Sequence, residues 1–261
     1  MFVLRSLIAI TVAVTLSTGA IAAEWDHVHL TSTNPPKAAD WYTEHFGGER
    51  TESGPFPAVL FDGMLVKFKP GKEGYGKSEG SAVDHIGFSV EDVAAKLKAL
   101  ETAGATITQE ARNIKAAGFT YGFIEDPWGT KVELIDDKDT TGFHHVHVAA
   151  SDIPKALEWY KTAFGGKVEP FKGFAPVRGI RYGEMWLLVM GAKGTPAPIT
   201  GRAIEHLGWQ IPDIEAFEKT LGDIGGEFVM GPQKNPAGYM FGFMETPDGV
   251  KIEIIEHKSE E

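Results

Sequence analysis

Two histidines stand two residues apart in the run WDHVHL, Trp25 to Leu30. The run reads as a β-strand, and strand side chains alternate faces, so His27 and His29 point to one side. An imidazole can ligate a metal or carry a proton near neutral pH. The shared face is therefore either a polar surface or the wall of a site, and the stretch alone does not choose. The same arrangement returns as His145 and His147 in HHVHV.

That recurrence is part of a longer one. DHVHLTSTNPPKAADWYTEHFGGER at 26–50 returns as HHVHVAASDIPKALEWYKTAFGGKV at 144–168, with a constant offset of 118. DHIGFSV at 84–90 returns as EHLGWQI at 205–211, and YGFIEDPWGTKVELI at 121–135 as FGFMETPDGVKIEII at 241–255. The chain is a tandem duplication. A weaker echo lies inside each unit, since DHVHL and DHIGF both carry an Asp-His pair on a strand-like run followed by a helix.

The helices have recognisable ends. Asn34 is placed to cap a helix over Pro35–Phe46 that starts on prolines and stops at Gly47-Gly48. A second helix over Glu91–Ala103 carries Val93, Leu97 and Leu100 on one stripe and ends at Gly104. Asp152–Phe164 and Asp213–Leu221 repeat the pair. Strand candidates such as TYGFIE and TKVELID follow, with turns at DPWG and TPDG. Four βαβββ quarters result, over about 24–70, 82–137, 143–191 and 203–257. Trp41 and Trp159 are expected on the core faces of their helices.

Residues 1–23 read as a secretory signal peptide: Arg5, an apolar run from Leu7 to Leu16, then the A-x-A pattern Ala20-Ile21-Ala22. The run is shorter than the ~20 residues that cross a bilayer. The expected location is secreted or periplasmic. The chain has no cysteine, which excludes a lipoprotein anchor, disulfides and thiolate chemistry, and leaves oxygen and nitrogen as metal ligands. A net charge of −11 argues against nucleic acid or an anionic membrane as partner. A small-molecule partner and a monomer or homodimer are expected. The domains are read as a module over 24–140 and a second over 141–261.

The repeated DHVHL…WYTEHFGG, DHIGFSV and DPWGTKVEL resemble the vicinal oxygen chelate superfamily, which includes glyoxalase I, extradiol dioxygenases and the fosfomycin- and bleomycin-resistance proteins. The resemblance covers residues 25–257. It implies an α+β fold of two tandem modules, each a pair of βαβββ units forming a cupped mixed sheet with helices outside. It also implies a divalent metal in the cup, held by residues of the first strand of each quarter and of the last strand. Carried over by position, the metal ligands fall on His27, His85 and Glu133 in the first unit, and on His145, His206 and Glu253 in the second. Up to two ions per chain are implied, and two imidazoles with one carboxylate suit Fe, Mn, Zn or Ni.

Departures narrow the chemistry. Glyoxalase I has a further glutamate near the end of the first quarter, where GMLVKFKP offers Lys67 and GEMWLLVM offers apolar residues, with Glu184 too early. The extradiol tyrosine matches Phe123 and Phe243, which donate no hydrogen bond. His29 and His147 share a face with His27 and His145, and the matching positions of the other quarters are Gly87 and Gly208, which leave room above a metal. The two histidines are the candidate general bases, with an orienting or purely structural role as the alternative. Tyr121, Tyr239, Arg178 and Arg181 are candidate lining. The expected function is an exported metal-dependent lyase or isomerase acting on a small oxygenated substrate. An extradiol-type dioxygenase and a non-catalytic binding protein are the alternatives.

Overall fold

The computed structural model describes residues 23–192 and 194–257. The expected signal peptide therefore lies, apart from Ala23, outside the described residues. The four quarters are present as read. The first holds β1 (Glu24–Ser32), α1 (Pro35–Phe46), β2 (Glu49–Ser53), β3 (Phe56–Phe61) and β4 (Met64–Pro70). The second holds β5 (Val83–Ser89), α2 (Val93–Thr102), β6 (Thr106–Ile114), β7 (Phe119–Glu125) and β8 (Lys131–Ile135). The third holds β9 (Gly142–Ala150), α3 (Ile153–Phe164), β10 (Val168–Phe171), β11 (Phe174–Tyr182) and β12 (Met185–Gly191). The fourth holds β13 (Ile204–Ile211), α4 (Ile214–Asp223), β14 (Phe228–Lys234), β15 (Met240–Glu245) and β16 (Lys251–Glu256).

Each helix begins on a side-chain cap. Asn34 accepts from the Lys37 N–H at 3.2 Å, Asp92 from Ala95 at 2.9 Å, Asp152 from Lys155 at 3.1 Å and Asp213 from Ala216 at 2.9 Å. These bonds satisfy N–H groups that the first turn leaves free. No described helix is long and apolar enough to cross a membrane.

The quarters form two eight-stranded mixed sheets, ordered β14-β15-β16-β13-β1-β4-β3-β2 and β10-β11-β12-β9-β5-β8-β7-β6. The sheets do not coincide with the sequence modules. The first quarter pairs with the fourth through antiparallel β1 and β13, and the second with the third through antiparallel β5 and β9. Helix packing ties the other pairs. Phe46 of α1 stacks on Phe88 of β5 with centroids 4.1 Å apart, and Trp41 Nε1 donates to the Ala103 carbonyl at 3.0 Å. Phe164 of α3 stacks on Trp209 of β13 at 4.5 Å. Trp41 is buried as expected, whereas Trp159 is only half-buried against the same core.

The Gly/Pro/Lys-rich joints are laced to one another. The Gly76 N–H donates to the Gly201 carbonyl at 2.9 Å, Ala203 to Gly76 at 2.8 Å and Ala82 to Ala197 at 2.8 Å. At the turn before β8, buried Asp126 accepts from Tyr42 Oη at 2.8 Å, from the Trp128 N–H at 2.9 Å and from the Thr130 N–H at 2.7 Å. Burial nevertheless pushes its carboxyl up to about 6.

Two outcomes are expected. Fragments 24–140 and 141–261 made separately each lack the partner strands of both their sheets, so light scattering should find them self-associated, and a 1:1 complex when mixed. The Asp126 carboxyl titrates higher when folded than its ordinary 3.8, so its contribution is full below about pH 4 and fades as pH rises through about 6. Urea unfolding of Asp126→Asn between pH 4 and 7 should lack that decline, worth ~2 kcal/mol.

Candidate metal-binding cups

The sheet register decides which side chains meet. Along β1 and β13, His29 faces His206 and His27 faces Gly208, while β13 sets Gly208 beside Glu253 of β16. Along β5 and β9, His85 faces His147 and Gly87 faces His145, with Gly87 beside Glu133 of β8. Residues two apart on a strand share a face, so all these side chains project into the concave side of their sheet. The backs of the same strands, including Val28, Leu30, Ile86 and Val146, are buried in the core.

Two cups follow, each drawn from both modules. In the first, His27 Nε2 lies 3.1 Å from His206 Nε2 and 3.2 Å from Glu253 Oε2, and His206 Nε2 lies 3.2 Å from Glu253 Oε2. In the second, His85 Nε2 lies 3.0 Å from Glu133 Oε2 and His145 Nε2 lies 3.3 Å from the same oxygen. The six residues expected as ligands thus gather as two sets of two histidines and one glutamate. The grouping by unit is corrected: His27 sits with His206 and Glu253, and His145 with His85 and Glu133. The cause is the pairing of β1 with β13 and of β5 with β9.

Gly87 and Gly208 do not leave space above the cup, as the sequence reading had it. A Cβ built on Gly208 would lie 2.3 Å from His27 Cε1, and one on Gly87 would lie 2.0 Å from His145 Cε1. The room they vacate holds the imidazole of the facing strand.

The histidines expected as ligands are oriented from behind. His27 Nδ1 bonds Asp26, His85 Nδ1 bonds Asp84 at 2.7 Å and His206 Nδ1 bonds Glu205. A lysine backs each acid: Lys67 lies 3.4 Å from Asp26, Lys131 lies 3.1 Å from Asp84 and Lys251 lies 2.9 Å from Glu205. Burial alone would raise these three carboxyls, but the imidazole and the ammonium hold each well below the usual carboxylate range. Glu133 and Glu253 are likewise held low by their histidines, against burial. An ionised acid on Nδ1 fixes the ring with Nε2 facing the cup.

The fourth histidine is held differently. His145 Nδ1 meets His144 Nδ1 at 2.8 Å, and His144 Nε2 donates to Asp137 Oδ2 at 3.1 Å, with Lys172 on Asp137. Burial lowers His145 to about 4 although Glu133 opposes it. Sequence reasoning noticed the Asp-His pairs but gave the acids no task, and it missed the part of His144 and the pairing of the lysines with the acids. The available signal was an acid immediately before the histidine in three quarters of four.

The remaining candidates divide. His29 Nδ1 lies 3.1 Å from His206 Nε2 and His147 Nδ1 lies 3.0 Å from His85 Nε2, so both rings belong to the cups. Burial first, then the neighbouring histidines, lower both well below the usual imidazole value. Tyr121 lines the second cup, a cavity of about 350 Å³ walled by Phe119, Phe123, Phe171, Val177, Leu188 and Met190. Tyr239 is 42% exposed, and its hydroxyl is raised by burial and by Glu253. Arg181 instead pairs with Glu184 at 2.6 Å on the surface. Arg178 lines a separate hollow beside α3.

Gly208→Ala and Gly87→Ala should each cost about 1–3 kcal/mol by overpacking, read from denaturant midpoints. Crystals of the variants should show His27 or His145 turned away from its cup.

A family model described as the Glyoxalase/Bleomycin resistance protein/Dioxygenase superfamily matches residues 25–134 and 142–254. A lactoylglutathione lyase from Arabidopsis thaliana is 26% identical over 248 residues, covering 85% of this chain and 87% of the relative. A lactoylglutathione lyase from Escherichia coli O157:H7 is 29% identical over 124 residues, covering 43% of this chain and 92% of the relative. Among solved structures, glyoxalase I from Zea mays superposes with a TM-score of 0.70 at 18% identity, covering 90% of this chain and 92% of that one. A putative dioxygenase from Bacillus subtilis gives 0.63 at 16%, covering 89% and 84%.

Proposed function

Because the chain belongs to the glyoxalase/bleomycin resistance protein/dioxygenase superfamily, we propose that it is a divalent-metal-dependent enzyme of the lyase or isomerase type. Its substrate is a small oxygenated molecule that chelates the metal through two neighbouring oxygens. One observation carries the reading. His27 and His206 both have Nδ1 bonded to a carboxylate, so their Nε2 atoms face each other at 3.1 Å with a glutamate alongside. A proton bridges only one pair of these three atoms, whereas a metal cation among them meets all three. Separations of 3.0–3.3 Å across both cups also match neighbouring donors on an ion with bonds of about 2.1 Å.

In this reading His27, His206 and Glu253 hold one ion, and His85, His145 and Glu133 hold the other. The ion, an Fe, Mn, Zn or Ni type, supplies Lewis-acid polarisation of the substrate oxygens. The residues of the chain do the rest. The lysine–acid–histidine chains fix the donors, and the aromatic wall of the second cup excludes water from the proton-transfer step. The one lysine lining that wall, Lys131, is tied to Asp84 and Glu79. That favours a small uncharged substrate over the carboxylate-bearing thiol adduct named for the relatives. The leader motif supports export, to the periplasm or beyond.

Dioxygenation ranks second. The two-histidine, one-carboxylate sets suit it, but the rings of Phe123 and Phe243 stand at 5.1 Å from His85 and His206 without a hydroxyl to hold a bound substrate. Complete donor sets in both cups speak against a purely sequestering role.

Metal analysis after reconstitution with Mn, Fe, Co, Ni or Zn should find about two ions per chain, falling to about one in Glu133→Ala or Glu253→Ala. The loaded protein should exchange a carbon-bound proton of small hydroxyketones with deuterated water, followed by NMR. No uptake of any of these metals overturns the proposal. Oxygen uptake with catechols, without such exchange, moves it to the dioxygenase.

A further inference from the structure

We infer that each cup holds its cation with four side chains, the Nδ1 atoms of His29 and His147 being the fourth donors. This rests on the metal reading of the cups. The position from which a fourth donor was expected on the neighbouring strand is taken by Lys67 on β4 and Leu188 on β12, which lie beside His29 and His147 in parallel register. Lys67 is turned to Asp26, and Leu188 is part of the apolar wall. Neither offers a donor, and the further side chains at donor spacing are those of the first strand itself.

The same cross-strand contact recurs in the two cups. His29 faces His206 across the strands with Nδ1 at 3.1 Å from Nε2. His147 faces His85 with the corresponding distance 3.0 Å. Those separations equal the ones among the other donors. The donor atoms of His85, Glu133, His145 and His147 all lie within 4.8 Å of one another, and in the first cup those of His27, His29 and His206 do, with Glu253 outside that spread and 3.2 Å from His27 and His206.

A plain hydrogen bond is the competing account of these contacts. It would have His29 donate from Nδ1 into the bare Nε2 of His206, and so occupy the lone pair that His206 offers the ion. His206 cannot serve both, and the bond of its Nδ1 to Glu205 turns its Nε2 into the cup. The general-base role has a similar difficulty. Nδ1 is already directed at the other donors, and Nε2 of His29 is buried with no partner, its ring edge-on to Phe56 with centroids 4.6 Å apart.

Four protein donors change what the ion can do. A four-coordinate ion would have no position left. A six-coordinate one would have two, the number filled by two neighbouring substrate oxygens. The cups are therefore suited to Mn, Fe, Co or Ni rather than to tetrahedral zinc, and the proton carrier is a group other than His29 or His147.

The test uses the full chain with Glu133→Ala, which leaves the first cup as the intact one, loaded with one Cu(II). Pulsed EPR with nitrogen-15 histidine should count three coordinating imidazoles, and two after His29→Ala. Co(II) affinity of that cup should fall by about 100-fold or more, with part regained in His29→Asn, whose amide reaches the place of Nδ1. His147→Ala in a Glu253→Ala background should behave alike. An unchanged nitrogen count and affinity in His29→Ala overturns the inference while leaving the metal reading standing. Failure of the unmodified protein to bind any ion removes both.

Discussion

The antiparallel pairing of β1 with β13, and of β5 with β9, is the constraint on which the rest of the molecule depends. Cross-strand neighbours in an antiparallel sheet are close enough for their side chains to touch. Setting His29 against His206 and His27 against a glycine therefore packs three imidazoles into one small volume. The glycine is the other half of that arrangement, because any Cβ at 87 or 208 would fall inside an imidazole. The parallel strands β8 and β16 then bring a glutamate to each group. In each cup three strands meet at donor spacing because a single register sets them all.

Electrostatics completes what the register begins. Each cup collects carboxylates and imidazoles where little water reaches, an arrangement that is costly without compensation. The compensation runs outward in chains, from ring to acid to lysine: His85 to Asp84 to Lys131, and His206 to Glu205 to Lys251. The lysines sit over aromatic faces as well, Lys131 at 4.9 Å from the Phe123 ring and Lys251 at 4.4 Å from Phe243. The phenylalanines that stand where a hydroxyl would be needed for ring cleavage thus serve to seat these cations. The acids remain ionised and the rings stay aimed into the cups.

Much of this was legible in the sequence, for a specific reason. A duplication preserves spacing, so the offset of 118 and the Asp-His echo mark out four equivalent quarters and the six recurring positions. Helix ends were legible because caps such as Asn34 and Asp152 are local chemistry. The partner of each quarter was not legible. The four opening strands are similar in pattern, and any two of them satisfy the same local rules. The choice is made by distant packing such as Phe46 on Phe88 and Phe164 on Trp209. The reach of His29 was missed for a related reason. Periodicity tells which face a side chain is on, but not whether its ring meets a neighbour across the seam.

The laced joints and exchanged quarters have a consequence for how such a molecule can change. Two identical chains that build cups at their contact must build identical ones, since symmetry copies every substitution into both. With the halves fused, that obligation is gone. Lys67 in one cup answers to Leu188 in the other, and the acid of Asp26 answers to the imidazole of His144. Each cup still borrows its frame from the other's half, so neither can be discarded. Yet the two are free to diverge in lining and in charge, one scaffold carrying two independent experiments.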